Sequence, residues 1–216
     1  MSDISELSHM NFSINSNFSV RPDLIDKLVE YEHNFAQFKV SASIDATGDI
    51  AEYTRQGLDY ELFLDNCNRY LNSTDSAVLK IQSTVNALSI FGLTDKIDLN
   101  IELRKKYGNR IRPFYTTMVR FPEFQSMHIL PDSIRTTLTT KLKAWYLKNS
   151  QLLLPVEQDL FNKILAYLTE KPAMLQDMSI EKLQQDFRTF IKYYDEYSTK
   201  KFADVFPQQF VDWTMQ

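Results

Sequence analysis

Phe38-Lys39-Val40-Ser41-Ala42-Ser43-Ile44, followed beyond a polar loop by Asp59 and a segment carrying Tyr60, Phe63, Leu64, Cys67 and Leu71, is the stretch that decides the fold. The first run has the β-branched and aromatic content of a short strand. The second segment repeats large apolar residues at i, i+3 and i+4, the spacing of a buried helical stripe, and Asp59 is placed to cap it. Working outward, Asn11-Phe12-Ser13-Ile14-Asn15 precedes Ser19 as a helix cap, Pro22 in a first turn, and Leu24, Ile25 and Leu28 on one face. Downstream, Val78 to Thr84 precedes a helix from about Thr94 to Tyr107 that Gly108 ends. Strand and helix alternate, which predicts an α/β fold. Two further strands are expected at Phe114 to Val119 and Met127 to Leu130, on either side of the turn Phe121-Pro122-Glu123.

From Asp132 onward the strand signal stops. Ile134, Leu138, Leu142 and Trp145 form one apolar helical face, Leu160, Phe161, Ile164, Leu165 and Leu168 a second, and Ile180, Leu183, Phe187, Ile191 and Tyr194 a third. Pro155 and Pro172 fall between these helices, and Ser179 can cap the third. The tail, with Phe202, Phe206, Phe210 and Trp213, is too apolar to stay in water and should pack back on the domain or on a partner. The organisation read from the sequence is a β/α part over residues 1–150 and a helical extension over residues 151–216.

Composition excludes several chemistries. The 216 residues include one cysteine, three histidines and four glycines, and the glycines at 48, 57, 92 and 108 are too scattered for a dinucleotide fingerprint or a P-loop. One thiol cannot build a disulfide framework, a zinc ribbon or an iron–sulfur centre. With 24 basic and 28 acidic residues there is no global field to attract a polyanion, so nucleic acid is not an expected partner. No stretch approaches the ~20 apolar residues of a membrane span, and Met1-Ser2-Asp3-Ile4 does not open a secretory leader. A cytoplasmic location is expected. His128 is read as a core or rim histidine rather than a general base, and no H-E-x-x-H or G-x-S-x-G pattern supports a hydrolase or transferase built on it or on Asp45.

Strands joined by helical crossovers should run parallel, and parallel α/β sheets and barrels place ligands at the carboxyl ends of their strands. Those ends read Ser16-Asn17, Ser43-Ile44-Asp45-Ala46-Thr47-Gly48-Asp49 and Ser83-Thr84-Val85-Asn86. Each has a plain structural alternative: Ser16 and Asn17 as turn residues, Asp45 closing an Asx-turn before Gly48, Thr84 and Asn86 serving loop backbone, and Arg55 pairing with Glu52 or Asp59. Their coincidence at equivalent positions favours one hydrogen-bonding rim suited to a polar cofactor.

At these residues the chain resembles a known family. Ser43-Ile44-Asp45-Ala46-Thr47-Gly48-Asp49-Ile50-Ala51-Glu52-Tyr53-Thr54-Arg55-Gln56-Gly57-Leu58-Asp59-Tyr60 is similar to the fourth-strand segment of radical S-adenosylmethionine enzymes of the twitch, SPASM-related kind. Ile14-Asn15-Ser16-Asn17 resembles that family's third strand, Ser83-Thr84-Val85-Asn86 its fifth, and Phe121-Pro122-Glu123-Phe124 through Ile129-Leu130-Pro131 its sixth-strand region. Phe190, Tyr194, Asp195 and Phe206-Pro207 are similar to its helical end. The resemblance implies an incomplete parallel β/α barrel, the later strands of a partial TIM barrel, with a helical C-terminal extension. It implies S-adenosylmethionine as cofactor, Ser43 and Asp45 at its ribose, Arg55 at its carboxylate, and Asn17, Thr84 and Asn86 lining the same pocket. The family's C-x-x-x-C-x-x-C loop and first two strands have no counterpart here, so a four-iron four-sulfur cluster would have to come from a partner chain. Cys67 falls on a buried helical stripe and does not stand in for that loop. The expected function is therefore the cofactor-binding rim of a split or truncated member, catalytic only with its complement. The alternative is a non-catalytic protein-binding or scaffold module derived from the barrel. In either case the first strand is an open edge through which self-association or heteromer formation is expected.

Overall fold

The computed structural model describes residues 4–170 and 179–216; Pro172 and Met1-Ser2-Asp3 lie outside them. Strands β1 (Asn11–Ser16), β2 (Gln37–Ser43), β3 (Leu79–Val85) and β4 (Tyr115–Met118) form a four-stranded sheet in the order β1-β2-β3-β4, and every neighbouring pair is parallel. Between them lie α1 (Pro22–Glu32), α2 (Gly48–Thr54), α3 (Tyr60–Ser73) and α4 (Leu93–Tyr107). The molecule is α/β, as the alternation of strand and helix predicts.

The two faces of this sheet differ in chemistry. Ile14, Phe38, Val40, Ala42, Leu79 and Ile81 project to one side and pack with Ile25 of α1, Phe63, Cys67 and Leu71 of α3, and Leu103 and Tyr107 of α4. The register puts the alternate residues on the other side: Ser13 beside Lys39, Asn15 beside Ser41 beside Lys80, and Ser43 beside Gln82 beside Tyr115. Of these only Ser41 is buried, while Ser13, Asn15, Lys39 and Tyr115 are exposed. A wholly parallel sheet normally has both faces covered; this one covers its apolar face and leaves its polar face open.

Local chemistry explains several element ends. Asp59 accepts from Leu62 N–H at 2.9 Å and starts α3 as expected. Ser19 does not cap α1, whose N-terminus at Arg21 has no side-chain cap. Its hydroxyl instead accepts from Asp59 N–H at 2.8 Å, tying two loops together, and Pro22 already removes one of the donors a cap would serve. Gly108 ends α4 at φ 62°, a left-handed conformation that glycine adopts without steric cost. Gly92 serves close packing, since a β-carbon there would sit 2.9 Å from that of Ala46.

The fifth expected strand is absent from the sheet. Met127–Ile129 form a single 3-10 turn, capped by Ser126 and held by Gln184, whose amide donates to Ile129 O at 2.8 Å. The run is largely apolar because it is buried beneath the C-terminal helices, and three apolar residues around one histidine carry no period that separates strand from buried turn.

The C-terminal faces form α5 (Asp132–Asn149), α6 (Pro155–Thr169) and α7 (Ile180–Tyr197), with Ser179 accepting from Lys182 N–H at 3.1 Å. Short helices α8 (Phe202–Val205) and α9 (Gln208–Thr214) follow. The aromatic tail packs back on the domain: Phe210 stacks on Phe91 at 4.5 Å between centroids, and Phe206 meets Tyr53 edge-on at 5.4 Å. Asp195 fastens it by accepting from Tyr53 O–H at 2.8 Å and Phe202 N–H at 2.9 Å, and burial first, then this bond, pushes the Tyr53 phenol up. The described residues of 151–216 thus share one core with Tyr53, Val85 and α4.

Candidate functional site

At the carboxyl ends of β2, β3 and β4, on the open polar face, Ser43, Arg55, Gln82, Ser83, Thr84, Tyr115 and Thr117 line a cavity of about 150 Å³. Three of the six residues expected at a cofactor rim, Ser43, Arg55 and Thr84, therefore meet. Ser43 is held by Gln82, whose side-chain amide donates to its hydroxyl at 2.9 Å. Lys80, one turn of the pleat below, lies over the Tyr115 ring at 4.1 Å.

Arg55 reaches the cavity from the end of α2, steered by Asp45. Its Nε and one terminal nitrogen donate to the two Asp45 oxygens at 2.8 and 3.2 Å, and Thr84 N–H donates to the same carboxylate at 2.7 Å. Asp45 is buried, and its side chain turns neither to an Asx-turn nor to the cavity; it binds a guanidinium in the fork geometry that carboxylates favour. Arg55 likewise leaves both anticipated structural partners, because Glu52 accepts from Tyr60 N–H at 3.0 Å and Asp59 caps α3. About a third of the Arg55 side chain stays exposed, and its second terminal nitrogen is not used in the pair.

The remaining two residues stand elsewhere. Asn17 is exposed at the end of β1, outside the cavity, in a turn fixed by Ser16, which accepts from Phe18 N–H at 3.1 Å, and by Asn66, which donates to Phe18 O and Val20 O at 2.7 Å each. Asn86 accepts from Leu88 and Ser89 N–H at 2.9 and 2.8 Å, closing the turn that leads into α4, and borders a separate 50 Å³ void with Phe187 and Tyr194. Gln82, Tyr115 and Thr117 are cavity residues that strand-end reading missed. The signal was in the alternation along β3, where Lys80, Gln82 and Thr84 interleave with Leu79, Ile81 and Ser83.

Behind the site lies a buried charged cluster. Lys96 of α4 has no exposed surface, its ammonium has no hydrogen-bond partner, and it sits over the Phe114 ring at 4.8 Å. Burial pulls its pKa down to about 7 against the attraction of Asp45 and Glu157. Glu157, fully buried, accepts from Arg104 at 2.8 and 3.0 Å and from the N–H groups of Phe114 and Leu154 at 2.9 Å each. Cys67 is in the core, where burial pushes its thiol up, and His128 is buried with its pKa lowered to about 4 by burial and by Arg135. Neither touches the cavity.

The cavity offers hydroxyls, an amide and one guanidinium, which suits hydrogen bonding to an anionic or hydroxyl-rich group. Among the described residues no cluster of three or more His, Cys, Asp or Glu could hold a metal ion, and no helix is long and apolar enough to cross a membrane. No family model, curated protein or solved structure matches the chain.

Proposed function

We propose that this chain is an arc of an incomplete parallel β/α barrel, of the radical S-adenosylmethionine type its sequence resembles, and acts as a binding module completed by β/α units of another polypeptide. The observation that carries this reading is the sheet itself: four parallel strands in unbroken sequential order, apolar and helix-covered on one face, polar and open on the other. Doubly wound sheets reverse their order and cover both faces, whereas a barrel arc does neither. Among the described residues, neither edge strand, β1 nor β4, pairs with a further strand on its outer side. Lys39 and Lys80 are the charged residues of the open face, so the completing units should bring polar and acidic side chains rather than a second copy of the same face.

On this reading the strand-end cavity is a part of a cofactor pocket. Its 150 Å³ is below the ~300–1,000 Å³ of complete ligand sites, so it takes an anionic or hydroxyl-bearing portion of S-adenosylmethionine rather than the whole. The free edge of Arg55 would take the carboxylate, and Ser43 and Thr84 would offer hydroxyls. Asp45 would act on the cofactor through Arg55, whose direction it fixes. A four-iron four-sulfur cluster does not fit this chain, because its one thiol is buried within the helix-covered core. Any such cluster belongs to the completing chain, and no catalytic step is assigned to this one.

Hydrogen exchange and sedimentation on the full chain test the module. Fast exchange along residues 11–16 is expected for the isolated chain, whether or not copies of it associate through their strand edges; a monomer whose β1 amides are as protected as those of β3 would sink the reading. Calorimetry with S-adenosylmethionine tests the pocket, and binding that disappears in Arg55→Ala would support the assigned rim.

A further inference from the structure

Another cavity, of about 440 Å³, is lined by residues of α5 and the tail together with Ile50, Phe91 and Asp95, and shares no residue with the strand-end site. Its floor is apolar and aromatic. Phe91 stacks on Phe210 at 4.5 Å, Phe206 meets both rings edge-on at 5.8 and 5.6 Å, and Ile134 and Leu138 of α5 complete it. The rim is polar, with Asp95 from the first turn of α4 and Thr137 and Lys141 from α5. Asp95 and Lys141 are both exposed, both face this cavity, and form no ion pair with each other or with any other described residue.

The volume is within the ~300–1,000 Å³ of small-molecule sites, and an apolar floor with a few convergent polar groups is their usual composition. The aromatic floor selects a flat or bulky apolar body. The rim selects the head group. A lone cation would favour a fatty or aromatic acid and a lone anion an amine, whereas one of each, unpaired, complements a zwitterion.

From the aromatic floor and the separated charges at its mouth, we infer that this cavity is a binding site for a zwitterion with a large apolar side chain, of the aromatic amino acid class. The apolar side chain lies on Phe91, Phe206 and Phe210. Lys141 takes the carboxylate and Asp95 the ammonium.

The test is calorimetry on the full chain with L-tryptophan, 3-indolepropionate, tryptamine and indole, with amide NMR shifts mapping where each binds. Tryptophan is expected to bind at least tenfold more tightly than the three others, with shifts confined to α5, residues 205–210 and residues 91–95. Lys141→Gln should reduce tryptophan to the affinity of tryptamine, and Asp95→Asn should reduce it to that of indolepropionate. Both residues are on the surface, so unchanged circular dichroism and melting temperature establish that the variants fold. Equal affinity for tryptophan and indole would overturn the head-group assignment. No saturable binding, or shifts away from α5, the tail and residues 91–95, would overturn the site itself.

Discussion

Two buried carboxylates in this molecule hold an arginine, and they differ in where the guanidinium ends. Glu157 is wholly enclosed, and Arg104, which it grips at 2.8 and 3.0 Å, donates a further bond to Leu152 O at 3.0 Å. Asp45 grips Arg55 with similar geometry, at 2.8 and 3.2 Å, yet Arg55 carries its outer edge to a cavity on the open face of the sheet. The chemistry of the pair is the same; the surroundings decide its use. Glu157 joins α4, α6 and the lead into β4, accepting from a guanidinium, a side-chain amide and two backbone N–H groups of the fold. Asp45 orients a cation toward whatever occupies the strand ends.

Breaking the enclosed pair should have the largest effect. Glu157→Ala leaves Arg104 without its carboxylate and two backbone N–H groups without partners, and should cost about 3–5 kcal/mol in urea unfolding. A loss under about 1 kcal/mol would show that the core reorganises around it.

Lys96, which senses both carboxylates, sharpens the comparison in the opposite direction. Lys96→Met removes a buried charge with no hydrogen-bond partner and should stabilise the fold by about 1–4 kcal/mol at neutral or lower pH. The sign follows from its protons. Folded Lys96 titrates near 7 and the unfolded residue near 10.5, so between these values the unfolded chain binds the extra proton and stability rises with pH. Below about 7 both states are protonated and the penalty is constant. The variant should lose that slope, and denaturation midpoints from pH 6 to 10 would measure it.

Arg55→Ala should cost less, about 1–3 kcal/mol, because Thr84 N–H still serves Asp45 and the pair borders the cavity. If the two arginines differ as described, this variant loses ligand binding while keeping a cooperative unfolding transition, whereas Glu157→Ala loses stability first. Equal stability losses would erase the distinction.

His128 gives the smallest signal and reports on the core rather than the site. Its folded pKa near 4 is below the ordinary 6.5, so as pH falls through that window the unfolded chain gains the proton first and the fold weakens. His128→Gln should flatten stability between about pH 6.5 and 4 and leave the cavity untouched.

Much of the fold was legible because its signals are local. The stripe Phe63, Cys67 and Leu71 and the cap at Asp59 need only helical geometry, and the three C-terminal faces and the inward-packing aromatic tail were readable in the same way. Met127 to Leu130 was not, because burial under α7 makes any backbone conformation apolar. At the site, Ser43 and Thr84 were legible as strand-end polar residues, and Arg55 was named through the family resemblance. Asn86 belonged to its turn, and Gln82, Tyr115 and Thr117 became visible as neighbours once strand register was known.

The sequence by itself determined the α/β alternation, the helical third and the exclusion of self-contained cysteine chemistry, since each rests on spacing or on a count. Only the tertiary structure decided that Asp45 holds Arg55, that one sheet face is open, and that Phe91 meets Phe210 beside Lys141 and Asp95. Partners separated by ten to more than a hundred residues are chosen by where strands and helices pack, and no local propensity encodes that choice.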